Sequence, residues 1–458
     1  MRLSRKLVAR SGVGVAVATA LVAVTVPSGQ SVTDGIPARI VTYDPPSFVT
    51  SYPMTDYGKT ARAGDDRQGK TTWRVVENTG NCCENYVTIA RNGRLLDFGG
   101  SYVNYTDDRG KTWRQVRPLT PLVNGEGAIV VGLDGDILGV EWDPYTADHL
   151  QVYKFEGETK QWLYNEMPLH QPFYDREWIA VVPGPVTIRG ETHPWVSFIK
   201  GGYPTKEAWY YSTDGLNYLD ISSKVAEGIL NGSRQTYLRP TARARNDWIQ
   251  PNTNAGITPL GRGDALASPD FPSLDGEWSL LDGRTFSWAK FRYGDGRPPK
   301  GLTQVDSAGR LHELSAGPFQ QNVVYRMSDD GGRTWSSLNL PLPEDTFVEE
   351  PDFRANRAAG IAAVALHAHD ETTNRDRDLL YKIDIAGDRP RLLSRHNVGL
   401  GDVDGASGVG ASVRFDFETV AVFPDGRVAM SFYDTTTADN NSGRIRPALA
   451  IEMGTRLR

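Results

Sequence analysis

The sequence Ser328-Asp329-Asp330-Gly331-Gly332-Arg333-Thr334-Trp335 stands directly between two strand-like runs. An aspartate at the position of Asp330 can fold its carboxylate back onto the amides of a turn. Gly332 provides a backbone position where a positive φ costs little. Trp335 opens the following strand with a large apolar side chain that has to be buried. The stretch therefore predicts a tight turn between two neighbouring antiparallel strands.

The same pattern occurs again at Thr106-Asp107-Asp108-Arg109-Gly110-Lys111-Thr112-Trp113, and weaker copies stand at Ser212–Tyr218 and Asp66–Trp73. These stretches resemble the Asp-box (BNR) repeats of the sialidase superfamily. The resemblance implies a β-propeller with its Asp boxes on outer hairpins, away from the functional site. Asp108 and Asp330 are therefore expected to stabilise turns and to take no part in catalysis.

A second kind of unit recurs along the chain: a polar or charged residue opens an apolar strand, and a glycine-containing turn leads to the next strand. Seven such units are Glu84–Phe98, Glu126–Trp142, Glu177–Ile199, Glu277–Phe291, Leu302–Leu314, Glu350–His369 and Glu418–Tyr433. Their spacing of about 40–70 residues suits four-stranded propeller blades. The fourth unit is poorly defined, so six blades, the number in the sialidase family, are the alternative to seven. A β-sandwich or an open run of hairpins is the other interpretation, which the Asp boxes disfavour.

The strand predicted at Thr72–Glu77 has a role in this all-β architecture. If it pairs with the last blade, it joins the two ends of the chain and removes an open sheet edge. We therefore expect one propeller domain over residues 71–458, with seven blades and an N-terminal strand that closes the ring. An extended segment over residues 30–70 precedes it.

Residues 1–29 have the order and length of a secretory signal peptide. Four basic residues within Met1–Arg10 precede the apolar run Gly12–Val26, which is short for a membrane span. An N-terminal anchor is the alternative. Removal of this segment changes the formal charge from −6 to −10, and so acidic a protein is a poor partner for nucleic acid. We expect a secreted monomer with no membrane span after processing.

The only cysteines are neighbours in the chain, Cys82 and Cys83. Export favours oxidation, but adjacent Cα atoms lie about 3.8 Å apart, closer than the roughly 4.4–6.8 Å usual for a disulfide. We predict a strained vicinal disulfide at the mouth of the channel, where a sugar face could rest on it. Two free thiols or an intermolecular bond are the alternatives.

Acidic residues cluster where the innermost strands of the units begin. The candidates for catalysis are Glu84, Glu126, Asp175, Glu177, Glu350 and Glu418. Acids that face one another across a channel raise each other's pKa, which suits general acid–base work. A solvated acidic ring, or a structural Ca²⁺ held by carboxylates, is the alternative. No cofactor is expected.

The resemblance to sialidases implies a further set of residues: three arginines that bind the substrate carboxylate, a tyrosine nucleophile paired with a glutamate, and an aspartate acid/base. The family's Arg-Ile-Pro signature is missing, since Ile36-Pro37-Ala38-Arg39 is not that motif. Arg176, Arg354 and Arg414 stand at plausible places for the arginine cluster, with Arg239 as a further candidate. Tyr433 and Tyr237 are the candidates for the nucleophile.

His367 and His369 alternate on a predicted strand and so share one of its faces, with Asp370 next. They could form a metal pair or the base of a lyase, and an ordinary surface pair is the alternative. No third residue has the spacing of a metal ligand. The sequence also lacks a Gly-rich phosphate loop, a metalloprotease helix motif and a Gly-x-Ser-x-Gly elbow.

Together these patterns predict a secreted propeller that acts on a glycan or glycoconjugate. A sialidase-like exo-glycoside hydrolase that removes a terminal acidic sugar is the leading interpretation. A polysaccharide lyase on uronic-acid glycans and a non-catalytic glycan- or protein-binding propeller are its rivals, because fold alone does not separate them. An arginine trio beside a Tyr–Glu pair would favour the hydrolase, and a His–Tyr–Arg group would favour the lyase.

Overall fold

A computed structural model divides the chain into two units, Met1–Gly35 and Ile36–Arg458. It describes residues 39–41, 49–50, 70–77, 86–90, 92–98, 103–116, 127–133, 135–142, 149–156, 161–168, 178–201, 208–225, 235–236, 257–261, 263–267, 278–315, 321–344, 346–370, 375–397, 419–434 and 446–456. The predicted leader and Cys82-Cys83 lie outside these residues. The signal peptide and the vicinal disulfide therefore stay predictions.

The first strands along the chain are β1 (Arg39–Val41), β2 (Val49–Thr50) and β3 (Lys70–Glu77). The strands of the first three blades follow, given from the innermost outwards. Blade 1 has β4 (Tyr86–Ile89), β5 (Leu95–Phe98), β6 (Val103–Thr106) and β7 (Arg114–Val116). Blade 2 has β8 (Gly127–Val131), β9 (Ile137–Trp142), β10 (His149–Glu156) and β11 (Gln161–Pro168). Blade 3 has β12 (Trp178–Ile188), β13 (Glu191–Gly201), β14 (Ala208–Ser212) and β15 (Leu219–Asp220).

After β16 (Gln235–Thr236), the remaining strands build four more blades in the same way. Blade 4 has β17 (Ile257–Gly261), β18 (Asp264–Ala267), β19 (Ser279–Asp282) and β20 (Ser287–Arg292). Blade 5 has β21 (Leu302–Val305), β22 (Leu311–Ser315), β23 (Val323–Ser328) and β24 (Ser336–Leu340). Blade 6 has β25 (Thr346–Asn356), β26 (Ile361–Asp370), β27 (Arg375–Asp384) and β28 (Arg391–Asn397). Blade 7 has β29 (Thr419–Val422), β30 (Val428–Asp434) and β31 (Arg446–Arg456), completed by β3.

The innermost strands β4, β8, β12, β17, β21, β25 and β29 contact one another in this order, and β29 returns to contact β4. Several are short and wholly buried, as in Tyr86–Ile89 and Thr419–Val422. Buried apolar clusters lie between neighbouring blades, for example Val87 and Trp113 of blade 1 against Ala421 of blade 7. The protein is a seven-bladed β-propeller, which confirms the predicted fold class and favours seven blades over six.

The N-terminal strand closes the ring as predicted. β3 pairs antiparallel with β31, with Trp73 opposite Glu452 and Glu77 opposite Ala448. Trp73 is 1% exposed and packs with apolar residues of blades 6 and 7, from alanines to Leu380 and Met430. The ion pair between Lys382 Nζ of blade 6 and Glu452 Oε2 of blade 7, 2.8 Å long, ties the same two blades together.

The fourth unit is the one that the sequence pattern places wrongly within its blade. Glu277–Phe291 was predicted to open blade 4, but β19 and β20 are its outer strands. The inner pair is β17 and β18, which precede the predicted unit in the sequence. β17 is short, contains Pro259, and its register with β18 shifts between Pro259 and Gly261. A strand so interrupted lacks the apolar alternation by which the other inner strands are found.

Three blades carry a fifth strand on their outer edge. β1 pairs with β11 of blade 2 and β2 with β7 of blade 1, both antiparallel. β16 pairs parallel with β20 of blade 4. The N-terminal segment, predicted to be extended loop, thus contributes short strands to blades 2 and 1 before β3 closes blade 7.

The turn at 328–335 has the predicted hydrogen bonds. Asp330 Oδ1 accepts from Ser328 Oγ (2.8 Å), Arg333 N (3.0 Å) and Thr334 N (2.9 Å), and Oδ2 accepts from Thr334 Oγ1 (2.7 Å). Burial acts to raise the pKa of Asp330, but these hydrogen bonds outweigh it and lower the pKa to about 2. Gly332 has φ of 84°, and its N–H donates to Ser328 Oγ over 2.8 Å.

Asp108 and Asp214 occupy equivalent turns in blades 1 and 3. Asp108 Oδ1 accepts from Thr106 Oγ1 and Thr112 N, each over 2.8 Å. Asp214 Oδ1 accepts from Ser212 Oγ over 2.8 Å and from two following backbone amides. All three turns join the third and fourth strands of a blade. In an antiparallel sheet they therefore lie at the edge opposite the one where the innermost strand begins.

Candidate functional site

The end of the ring where the seven innermost strands begin is called here the strand-start face. In each antiparallel blade the second strand ends at this face. The loops that enter the innermost strands therefore meet here, at one mouth of the central channel. This is the face on which the sequence places its candidate site.

Most of the predicted site residues lie outside the described part of the chain: Cys82, Cys83, Glu84, Glu126, Asp175, Arg176, Glu177, Arg414 and Glu418, with the further candidates Tyr237 and Arg239. Glu350 lies on β25 and Tyr433 on β30, where the backbone is described. Of the predicted set, only Arg354 has a described side chain. The catalytic and substrate-binding assignments therefore remain predictions.

Arg354 is 1% exposed and belongs to the innermost strand of blade 6. Its Nη1 donates to Asp352 Oδ1 over 2.7 Å and to the Phe353 carbonyl over 2.8 Å. Burial lowers the pKa of Arg354, while Asp352 and the phenol of Tyr86 act to raise it. Because residues i and i+2 of a strand share a face, the spacing Asp352-x-Arg354 already indicates this pair.

Asp352 also links two neighbouring innermost strands. Its Oδ2 accepts from Val420 N of β29 over 3.0 Å. On the other side of β25, Gln304 of β21 donates to the Phe353 carbonyl over 3.0 Å and accepts from Ala355 N over 2.8 Å. Buried side chains thus hydrogen-bond the ring's innermost strands together around Arg354.

A second buried pair lies nearer the strand-start face of the same blade. His367 Nδ1 and Asp378 Oδ1 are 3.3 Å apart, and His367 is 2% exposed. The surface pair considered as the alternative for the two histidines is therefore wrong for His367. Among the residues that the structure describes, no group of three or more histidines, cysteines and acids could hold a metal ion.

Aromatic side chains from blades 1 and 3 meet over blade 2. Tyr86 is the first residue of β4 and Trp178 the first of β12, and their ring centroids lie 5.5 Å apart, edge to face. Both are buried. Tyr86 also acts on the charge of Arg354, so its ring lies near side chains of both blade 3 and blade 6.

Two buried acids near the strand-start face escaped the sequence reasoning. Asp97 stands opposite Val87 in blade 1, and burial raises the pKa of its carboxyl to about 7. Glu141 is buried in blade 2. Tyr153 is buried beside it, and this burial, together with the charge of Glu141, raises the pKa of the Tyr153 phenol. The available signal was a single acid within an otherwise apolar strand, a residue type that is rarely buried without a specific reason.

A Tyr–Glu pair with one arginine and a His–Tyr pair lie in and beside blade 5. Tyr293 O–H donates to Glu313 Oε2 over 2.7 Å, and Arg326 Nε donates to Glu313 Oε1 over 2.8 Å. His312 Nδ1 and the Tyr325 hydroxyl are 2.7 Å apart. The tyrosines, Glu313 and His312 are fully buried between or within blades. These groups stabilise the fold, and neither of them decides the reaction.

No protein-family model matches the chain, and no curated protein matches it. Similar solved structures include the polysaccharide lyase ulvan lyase, at 10% identity and a TM-score of 0.41, covering 81% of this chain and 94% of that one. The NanB sialidase from Streptococcus pneumoniae has 11% identity and a TM-score of 0.34, over 88% and 71% of the two chains. The β-propeller domain of the Trilobed protease from Pyrococcus furiosus has 10% identity and a TM-score of 0.36, over 88% and 96%. These proteins have different activities, so the function of this chain has to be argued from its own residues.

The described part of the chain contains no helix with the length and apolar character needed to cross a membrane. The described residues form a seven-bladed propeller whose sixth blade contains two buried charged pairs.

Proposed function

We propose that the protein is a secreted, sialidase-like exo-glycoside hydrolase that removes a terminal acidic sugar. The observation that carries this proposal is the closed ring of innermost strands. Glu126, Glu177 and Glu418 each stand one position before the first residue of such a strand, and Glu84 stands two positions before it. Residues this near a strand start lie within about 4–8 Å of it. The ring would therefore gather these acids at one mouth of the channel.

In this proposal a carboxylic acid of the set protonates the leaving glycosidic oxygen. Carboxyl groups brought together around one mouth raise each other's pKa, which would keep one of them protonated near neutral pH. Arginine forks bind the carboxylate of the acidic sugar. Because the charge of Arg354 is balanced by Asp352, the main carboxylate contacts are assigned to Arg176 and Arg414, with Arg354 as the supporting member. Tyr433 is the proposed nucleophile.

The test is a screen of the purified protein against sialosides, uronic-acid glycans and neutral glycosides. Reducing ends and 4,5-unsaturated product absorbance are both measured. Release of sialic acid supports the proposal, and Glu126→Gln and Glu418→Gln should then lower kcat/KM by about 10²–10⁴. Asp108→Asn, in a turn on the opposite edge, is the matched control and should keep the activity of the folded protein.

Each other outcome overturns the hydrolase in a different way. Unsaturated product would assign a polysaccharide lyase. Glycan binding without any product would assign a non-catalytic binding propeller. Full activity of both glutamate variants would show that the acids at the strand starts are not the catalytic ones.

A further inference from the structure

The innermost strand of blade 6 contains a β-bulge near the strand-start face. Val348 of β25 pairs with Ala368 of β26, and Pro351 pairs with Leu366. Two residues, Glu349 and Glu350, therefore stand opposite the single residue His367. Bulges of this kind occur next to active sites, where they redirect side chains. The bulge marks His367 as the residue of β26 that faces an interruption in the sheet.

Asp378 holds His367 from the neighbouring strand. It is the register partner of His367 on β27, and its Oδ1 lies 3.3 Å from His367 Nδ1. A carboxylate at this distance favours the tautomer with the proton on Nδ1, which leaves Nε2 as the basic nitrogen of the neutral ring. The pair thus has the arrangement of an oriented histidine base.

His367 faces blade 7. It shares a face of β26 with Ala363 and Ala365 by strand alternation, and both alanines pack with Val420 of blade 7. Asp352, the register partner of Ala365, bonds Val420 N on the same side. The Asp378–His367 pair and the Asp352–Arg354 pair therefore lie along one blade interface, with His367 nearer the strand-start face.

A second histidine–aspartate pair provides a contrast at the other end of the ring. His312 Nε2 is 3.2 Å from Asp306 Oδ2. Asp306 belongs to the turn between β21 and β22, where its carboxyl also accepts from Ala308 N and Arg310 N. This pair belongs to a turn far from the strand-start face, and its role is to stabilise that turn. His367 is not part of such a turn.

We propose that His367 is a proton-transfer residue of the glycan site and that Asp378 is its positioning residue, an inference that rests on the proposed function. When water releases the sugar from Tyr433, Nε2 takes a proton from that water as the water oxygen bonds to the anomeric carbon and the bond from that carbon to the Tyr433 oxygen breaks. Asp378 balances the charge of the imidazolium, which then returns the proton to the Tyr433 phenolate. His367 is 2% exposed, so in this proposal the terminal sugar enters between blades 6 and 7 at their strand-start edge.

Among the described side chains of the strands next to His367, Asp378 faces it from β27. On β25, Glu349 and Glu350 stand opposite His367 in the register of the two strands. β29, which also contacts β26, contains no titratable residue within Thr419–Val422. In this proposal the Asp378 carboxylate is the group that stabilises the imidazolium of His367.

The experiment compares His367→Gln, Asp378→Asn and the control His312→Gln in the full chain, on the glycan that the screen identifies. We expect His367→Gln to lower kcat/KM by about 10²–10⁴ and to remove a limb of the pH–rate profile near neutrality. Asp378→Asn should shift that limb to lower pH, because the carboxylate no longer stabilises the imidazolium. His312→Gln should leave the profile unchanged. Activity of folded His367→Gln within about threefold of the original, with the same limb, would overturn the proposal.

A measurement on the unaltered sequence covers the case in which His367→Gln fails to fold. Imidazole ¹⁵N spectra are recorded with and without sialyllactose and with the screened glycan, and the His367 resonance is assigned by its change in Asp378→Asn. The His367 resonance should move at saturation and that of His312 should not. An unmoved His367 beside measurable turnover refutes this inference alone. Absence of any glycan binding or turnover refutes the proposed function, and the inference with it.

Discussion

Replacement of Trp73 by alanine tests how the ring is closed. Trp73 of β3 lies between blades 6 and 7 in an apolar cluster with three alanines, Ala363, Ala365 and Ala450, and with larger residues that include Leu380 and Met430. The imidazole of His396 contacts the Trp73 indole edge to face, with the ring centroids 5.4 Å apart. The alanines have no rotamers with which to fill the space that the indole would leave, so any filling depends on Leu380 and Met430.

The magnitude follows from burial and from one opposing contribution. An aromatic side chain buries about 150–250 Å², which at about 25 cal/mol per Å² corresponds to about 4–6 kcal/mol. Aromatic-to-alanine changes in cores cost about 3–5 kcal/mol. Trp73 Nε1 is buried without a hydrogen-bond partner among the described residues, and its removal returns about 1 kcal/mol. We therefore expect Trp73→Ala to lower the free energy of unfolding by about 3–4 kcal/mol.

The assay is urea unfolding at 25 °C, followed by far-ultraviolet circular dichroism and by fluorescence so that a partly open ring would show as two separate transitions. Trp73→Phe is the matched variant, since it keeps most of the apolar volume and removes the unpaired N–H. It should lose about 1–2 kcal/mol. A loss below about 1 kcal/mol for Trp73→Ala, or equal losses for both variants, would refute the argument that volume at this position closes the ring.

Three further perturbations test the turns and the buried pair. Asp330→Asn removes a carboxylate whose pKa the turn lowers to about 2; such a group stabilises the fold above its ordinary pKa of 3.8, so the difference in urea midpoint from the original protein should be constant above about pH 5 and shrink as the pH falls towards 2. Gly332→Ala and Gly135→Ala both strain a left-handed backbone, but only the first places a Cβ within 2.7–2.9 Å of the Tyr293 side chain. Thermal unfolding should therefore show a larger loss of stability for Gly332→Ala. Asp352→Ala leaves the Arg354 charge buried and should cost about 3–5 kcal/mol, and adding Arg354→Met should recover part of it in a double-mutant cycle; additive losses would contradict a direct pair.

The elements that could be predicted from sequence are those whose cause is local. The turn at 328–335 contains its own donors and acceptors within eight residues, so the pattern alone indicates the hydrogen bonds later seen at Asp330. The inner hairpins of blades 1, 2 and 7 were found because apolar runs flank a glycine turn. Blade 4 was placed wrongly because Pro259 interrupts β17.

Contacts between blades could not be read from the sequence in this way. Arg310 Nε donates to Asp329 Oδ1 over 2.6 Å, while its Nη1 reaches the carbonyls of Ile385 and Gly387 in blade 6, each over 2.8 Å. Arg94 Nε and Asp107 Oδ1, 2.7 Å apart, repeat the first of these contacts in blade 1. Each arginine follows the glycine of an inner turn, so the repeat is visible in the sequence. Its partners depend on where the blades fall around the ring.

The same dependence links the closure of the ring to the proposed site. Ala363 and Ala365 belong to the apolar cluster around Trp73, and they lie on the face of β26 that His367 continues towards the strand-start end. Asp352 and Arg354 are the register partners of these two alanines on β25. The interface that the N-terminal strand completes is therefore the interface along which both buried charged pairs lie. Because buried charges need fixed partners, a loosened closing strand should disturb these pairs first. The closing strand of blade 7 and the proposed proton-transfer residue therefore depend on the same interface between blades 6 and 7.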